Sequence, residues 1–301
     1  MVSVKFITAI TLALAATVSA APASHGHKTP SHHQKLVHGK YFDRFMIVVL
    51  ENQDYEAVVA DPYFGSLAKK HHGNLLTNYL ATTHPSEPNY IAMIGGSTFG
   101  NDDDSDVSYN EKSIVDILEP RGISWKEYAE DYIPGPNGDC AMDSAQSKNV
   151  YRRKHNPFIS FSTVTSNPAR CKNIVPGSQL AVDLKAKNLP QFMFYTPNMN
   201  NDGHDTTLAY ASNWTHSFIE PLLANKDFTK DTAVLLTWDE SKNYSNTDQV
   251  WSVLVGGAVK AKRNNVDNTK YNHYSILATI EKNWKLHNLG QNDANATAFK
   301  W

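Results

Sequence analysis

The chain has 301 residues, 41% of them apolar and 19% charged, which marks a globular protein able to bury a sizeable core. Lys and Arg number 28 against 30 Asp and Glu, a net charge of -2, which leaves no broad basic surface for clamping a nucleic-acid backbone. Two cysteines, Cys140 and Cys171, exclude a disulfide-dense mini-scaffold, a four-cysteine zinc ribbon and an iron–sulfur protein.

At the N-terminus Lys5 precedes an uncharged run from Phe6 to Val18, and Val18-Ser19-Ala20 offers small residues for cleavage. This reads as a secretory signal over 1–20. The run is shorter than the ~20 apolar residues of a membrane span, so a secreted protein, extracellular or in the cell wall and without stable membrane insertion, is expected. In that oxidising setting Cys140 and Cys171 are expected to pair, contributing on the order of 3 kcal/mol by constraining the unfolded chain. Asn213, Asn243 and Asn295 each open an N-glycosylation sequon. Residues 21–40 hold five histidines among Pro, Ser, Gly and Lys with little to bury, the composition of a disordered linker rather than of a regularly spaced metal site. The remainder, 41–301, shows no second linker and no repeat and is expected to be one catalytic domain.

In chain order, the runs Phe45–Leu50, Gln191–Tyr195 and Thr232–Thr237 are short, apolar and rich in β-branched or aromatic residues, as strands buried on both faces must be. Val253–Val255 reads as a fourth. Helical periodicity lies between and after them, at Ser113–Glu119, Leu208–Leu223 and Ser275–Leu286. Strands alternating with helices predict an α/β fold, a three-layer sandwich around a mostly parallel sheet. Residues 101–110 and 133–176 read as long surface excursions of the kind that wall a site.

Each of the three apolar runs is followed by polar ligand types: Glu51-Asn52, Thr196-Pro197-Asn198 and Asp239-Glu240. In an open α/β sheet the crevice beyond the carboxyl ends of the strands receives ligands, so these groups should share one rim. The stretch Thr82-Thr83-His84-Pro85-Ser86-Glu87-Pro88-Asn89-Tyr90 reads as a turn entering a helix, with Ser86 near its N-cap. A hydroxyl there faces unpaired N–H groups that favour a phosphate, although on this ground alone an ordinary capping serine is the better reading. Asn200–Asp205 places amide, carboxylate and the His204 imidazole in one polar loop, and His273 opens the last long helix. No Gly-x-Ser-x-Gly elbow, Walker loop or His-Glu-x-x-His is present.

At these residues the sequence resembles the secreted phosphoesterases that join fungal and bacterial acid phosphatases to phospholipases C, within the alkaline-phosphatase superfamily. The motifs that carry the resemblance run in order from Val49-Leu50-Glu51-Asn52-Gln53 through His84–Tyr90, Lys154-His155-Asn156-Pro157-Phe158, Asn201–Asp205 and Thr237–Glu240 to His273-Tyr274-Ser275. The resemblance implies an alkaline-phosphatase-like fold and an acid phosphatase acting on small phosphorylated substrates. It makes Ser86 the nucleophile and Glu51, Asn52, Ser86, Asp239 and Glu240 the ligands of a divalent cation, whether calcium, magnesium or zinc. His204 and His273 are then candidate catalytic groups, and His155, Asn89 and Asp205 candidate substrate contacts. Where superfamily members carry an Asp four residues before the equivalent of His204, this chain has Asn200, which points to one metal rather than two. The alternatives are a phospholipase C acting on a lipid diester and a catalytically inactive extracellular binding module.

Overall fold

The computed structural model describes residues 36–244 and 248–301, so the expected signal and most of the histidine-rich stretch lie outside the described residues. Eight strands form the central sheet: β1 (Arg44–Leu50), β2 (Asn74–Leu76), β3 (Trp125–Ala129), β4 (Ile174–Pro176), β5 (Phe192–Thr196), β6 (Thr232–Trp238), β7 (Ser252–Val255) and β8 (Val266–Asp267). Their spatial order is β8-β2-β7-β6-β1-β5-β3-β4. Every pairing is parallel except the two made by β7, which runs against both β6 and β2. The expected mostly parallel α/β sheet is therefore present.

The central strand β1 is apolar at consecutive positions because both of its faces are covered, and Phe45 through Leu50 are all fully buried. Neighbouring residues on β5 identify the two covering layers. Phe194 packs against Tyr90 of helix α1 (Ser86–Gly95), while Tyr195 stacks against Trp214 and Phe218 of helix α2 (Leu208–Ala224). A third helix, α3 (Tyr274–Trp284), presents Ile276, Leu277 and Ile280 to the interior.

Two expectations need correction. Residues 37–40, read as the end of a disordered linker, are pinned: the Val37 N–H donates to Gln191 Oε1 at 2.9 Å, Gln191 Nε2 donates to the Val37 carbonyl at 2.7 Å, and the Lys40 N–H donates to the Asn283 carbonyl at 2.9 Å. The stretch 133–176 is not wholly a surface excursion. Cys140 and Cys171 are joined by a disulfide, as expected, and Pro157 through Phe161 are buried because Phe158 stacks on Trp125 and meets Phe194 across the sheet.

The end of α3 also couples stability to pH. Glu281 is buried against Asp293, whose carboxylate accepts the Leu289 and Gln291 N–H groups at 2.6 and 2.8 Å. Burial, reinforced by Asp293, pushes the Glu281 carboxyl up to about 9. A group whose pKa is raised on folding stabilises fully below its unfolded value and loses that contribution as pH rises through its folded one. The urea midpoint should therefore fall between pH 5 and pH 9, and Glu281→Gln, which has no proton to lose, should flatten that slope. Equal slopes in the two proteins would remove Glu281 as the cause.

Candidate functional site

The strand register builds the site. Leu50 pairs with Trp238 across β1 and β6, so the residues that follow, Glu51 and Asp239, emerge side by side, with the Asp239 N–H donating to the Leu50 carbonyl at 3.0 Å. The Glu51 N–H donates to the carbonyl of Asp202, which brings in the polar loop after β5. Glu51, Asp202 and Asp239 are all fully buried. Glu51 Oε2, both carboxylate oxygens of Asp239 and Asp202 Oδ2 have no side-chain hydrogen-bond partner, and Glu51 Oε1 meets His155. Glu51, His155 and Asp202 offer ligand atoms that all lie within 4.8 Å of one another, a grouping able to hold a metal ion.

His155 Nε2 lies 2.5 Å from Glu51 Oε1, and its ring stacks on Tyr90 of α1. Burial opposes the Glu51 charge, but His155 and Lys154 outweigh it and hold the carboxyl below the usual range. Burial first, and the Glu51 charge second, push Asp202 and Asp239 well up. Burial pushes the His155 imidazole down against the pull of Glu51. Such crowding of unpaired carboxyls is costly in a dry interior, and a cation is the partner that would satisfy all of them.

Beside this group, Glu240 gathers a second set. Its Oε1 accepts from Asn52 Nδ2 at 2.9 Å and from the Ser86 hydroxyl at 3.4 Å, and its Oε2 lies 2.5 Å from His84 Nδ1. Ser86 is the buried first residue of α1. Of the five expected ligands, Asn52, Ser86 and Glu240 are joined by hydrogen bonds and Glu51 and Asp239 follow paired strand ends, whereas the grouping able to hold a metal, Glu51, His155 and Asp202, contains only Glu51 of the five. Sequence reasoning assigned no role to His84 or Asp202. His84 lies within the quoted turn, and Asp202 is the one acid of its loop that sits inside the protein, which spacing alone does not reveal.

The other candidates separate. His204 is exposed, its Nδ1 2.8 Å from Asp205 Oδ1, and its N–H donates to Asp202 Oδ1. Asp205 is about half exposed. His155 is a buried partner of Glu51 and not part of an exposed basic loop; its neighbour Lys154, largely buried as well, donates to Asp104 Oδ2 at 2.9 Å. Asn89 is not placed as a substrate contact: its amide oxygen accepts the Thr82 and Thr83 N–H groups, and its nitrogen donates to the Thr83 and Pro85 carbonyls. It holds the turn that presents Ser86. His273 departs from the expected proton donor as well. It is fully buried, Nε2 lies 2.6 Å from the Asp239 carbonyl and Nδ1 3.2 Å from the Tyr79 hydroxyl, and burial pushes it down to about 4. A neutral ring with both nitrogens engaged fixes the Asp239 backbone. The three sequon asparagines, Asn213, Asn243 and Asn295, are exposed.

A cavity of about 810 Å³, lined by Leu180, Tyr195, Phe218 and Asn201, lies apart from this chemistry. Its half-buried acid, Glu130, is already satisfied by the Asn198 N–H, Asn201 Nδ2 and the Tyr195 hydroxyl. No helix among the described residues is long and apolar enough to cross a membrane.

The sequence profile of the Phosphoesterase family matches residues 25–287. The chain is 45% identical over 267 residues to the phosphate-repressible acid phosphatase of Penicillium chrysogenum, covering 88% of this chain and 64% of that protein. It is 42% identical over 268 residues to an acid phosphatase of Aspergillus fumigatus, covering 88% and 60%. It is also 30% identical over 255 residues to the phosphatidylinositol-3-phosphatase of Mycobacterium tuberculosis, covering 83% and 79%. The chain therefore spans less than two thirds of the length of these fungal relatives. In fold it is similar to a protein of the alkaline phosphatase superfamily from Vibrio parahaemolyticus, with a TM-score of 0.57 at 11% identity over 85% of this chain and 70% of that one.

The crowded carboxyls give a direct test. In chelator, Asp239→Asn should melt at or above the wild-type temperature, because one uncompensated buried acid is gone. Divalent cation should raise the wild-type melting temperature and raise that of Asp239→Asn much less. Thermal melts of both proteins in chelator and in calcium, magnesium or zinc check this; equal cation responses would place any bound ion away from Asp239.

Proposed function

The chain belongs to the Phosphoesterase family, and from that premise we propose that it is a secreted acid phosphatase hydrolysing phosphate monoesters at Ser86. The observation that carries this reading is the convergence of the Ser86 hydroxyl, at the buried start of α1, with Glu240, Asn52, Glu51 and Asp239 on one sheet rim. The uncharged leader and the disulfide support export, and 41–301 is read as the catalytic domain.

Glu51, Asn52, Ser86, Asp239 and Glu240 would hold the divalent ion, whose all-oxygen ligands suit calcium or magnesium, while His155 beside Glu51 would also admit zinc. When bound, such an ion neutralises phosphoryl oxygens and favours the serine alkoxide. The chain's own groups do the rest. Asn89 fixes the turn so that Ser86 Oγ meets phosphorus, forming a phosphoserine as the bond to the leaving oxygen breaks. The leaving oxygen takes a proton from His204, the rim histidine paired with Asp205. Water then attacks the phosphoserine, restoring the Ser86 hydroxyl and releasing phosphate. A donor histidine must be protonated to act, which favours turnover on the acid side of neutrality.

Ser86→Ala should lower the rate on a phosphomonoester by at least about 10³-fold while costing no more than about 1 kcal/mol of stability, the range of a lost cap. The wild type should cleave monoesters far faster than short-chain lecithin, most rapidly below pH 7. Parallel assays of both substrates across a pH series check this. A Ser86→Ala protein retaining most of its rate would overturn the nucleophile, and a dominant lecithin rate would move the assignment to phospholipase C.

A further inference from the structure

We propose that Lys154 and the Glu87 N–H form the seat for the substrate's phosphate, and that Asp104 occupies this seat as an internal competitor until phosphate displaces it. The inference rests on the phosphoesterase reading above and adds two residues to it.

The Asp104 carboxylate bridges two donors beside the nucleophile. Its Oδ1 accepts the Glu87 N–H at 3.0 Å, from the residue next to Ser86 in the first turn of α1, and its Oδ2 accepts from Lys154 Nζ at 2.9 Å. Two oxygens of one anion on a helix-terminal N–H and an ammonium are what a phosphate would also present. The cap residue Pro85 supplies no side-chain acceptor, so the carboxylate that takes this N–H comes from a loop 17 residues away. Asp104 reaches in from the acidic stretch 101–106, and its side chain keeps about a third of its surface in solvent, so it can swing out. Lys154 is more buried than its partner and is tied on its other flank to the site, since it neighbours His155, which contacts Glu51. Burial disfavours the Lys154 charge, but Glu51, Asp104 and Asp239 outweigh it and hold the ammonium protonated more firmly than usual.

Carboxylate and phosphate cannot share the two donors. A singly charged carboxylate gives way to a phosphate that carries more charge, but it competes with substrate and with product phosphate alike for the two donors. Asp104 thereby weakens the hold on product as well as on substrate, and Lys154 supplies the attraction that both anions compete for.

The two residues should therefore act in opposite directions although they touch. Asp104→Asn keeps the shape and an acceptor for the Glu87 N–H but removes the charge that binds Lys154; it should tighten binding of inorganic phosphate several-fold and lower KM by a similar factor. Lys154→Met should weaken phosphate binding by about tenfold, the loss of one charge-assisted contact. Phosphate binding is read by calorimetry on the purified full chain, alongside melting temperature and KM for 4-nitrophenyl phosphate. Weaker phosphate binding in Asp104→Asn would overturn the competitor role, because it would mean that Asp104 serves to orient Lys154. Unchanged binding in either variant with a lowered melting temperature would overturn the proposal in favour of a structural bridge. Calorimetry on Ser86→Ala separates this from the function itself: a wild type that cleaves no monoester overturns the phosphatase reading, while phosphate affinity in the Ser86→Ala background still reports whether the seat exists.

Discussion

Glu51, Asp202 and Asp239 are buried next to one another with most of their oxygens unpaired, and the remainder of the architecture is arranged to make that possible. Like charges in a dry interior repel strongly, so the protein must either keep protons on some of them or hold a cation among them. The parallel sheet brings them together by register: β1 and β6 end level, and the acids follow at once. Rigid support behind each backbone prevents them from moving apart, since the Asp239 carbonyl is held by His273 and the Glu51 N–H by Asp202.

The same economy of structure governs Ser86, the proposed nucleophile. Ser86 is placed by Asn89, whose amide makes four hydrogen bonds within the turn, and the helix that follows is buried from Ser86 through Gly95. A serine so enclosed has few rotamers and little solvent, which suits attack on a positioned phosphorus better than it suits simple capping. His84, stacked under Tyr244 and in contact with Glu240, links this turn to the loop that follows β6.

How much of this was legible in the sequence follows from burial pattern. Strands β1, β5 and β6 are readable because both faces are covered and their central positions form continuous apolar runs. Strand β3 is not, because Trp125-Lys126-Glu127-Tyr128 carries an acid at a fully buried position, where Glu127 is accommodated by the Thr196 hydroxyl. Strands β2 and β4 have three residues each, too few for a periodic signal. The rim acids Glu51, Asp239 and Glu240 could be foreseen since they follow readable strands, whereas the fate of His155 depends on how residues 153–161 fold back against the sheet, which no local pattern encodes. His273 was misread for a related reason: its sequence neighbours mark the start of a helix but say nothing of the carbonyl and phenol that take up its ring.

One consequence lies in the direction of β7. Because it runs opposite to β6, the connection between them leaves from the site rim and returns to it, whereas the connections of a parallel crossover reach the far edge of the sheet. Of the described residues of this connection, Glu240, Tyr244 and Asp248 gather at the mouth around His84, with Asp248 Oδ1 within 3.5 Å of it. Substitutions at Tyr244 or Asp248 would redraw the surroundings of His84 while leaving the strand pairings and the opposite edge of the sheet untouched. The fold thus separates what the entrance admits from what the strand ends do to it, and the two can diverge independently among chains that share this sheet.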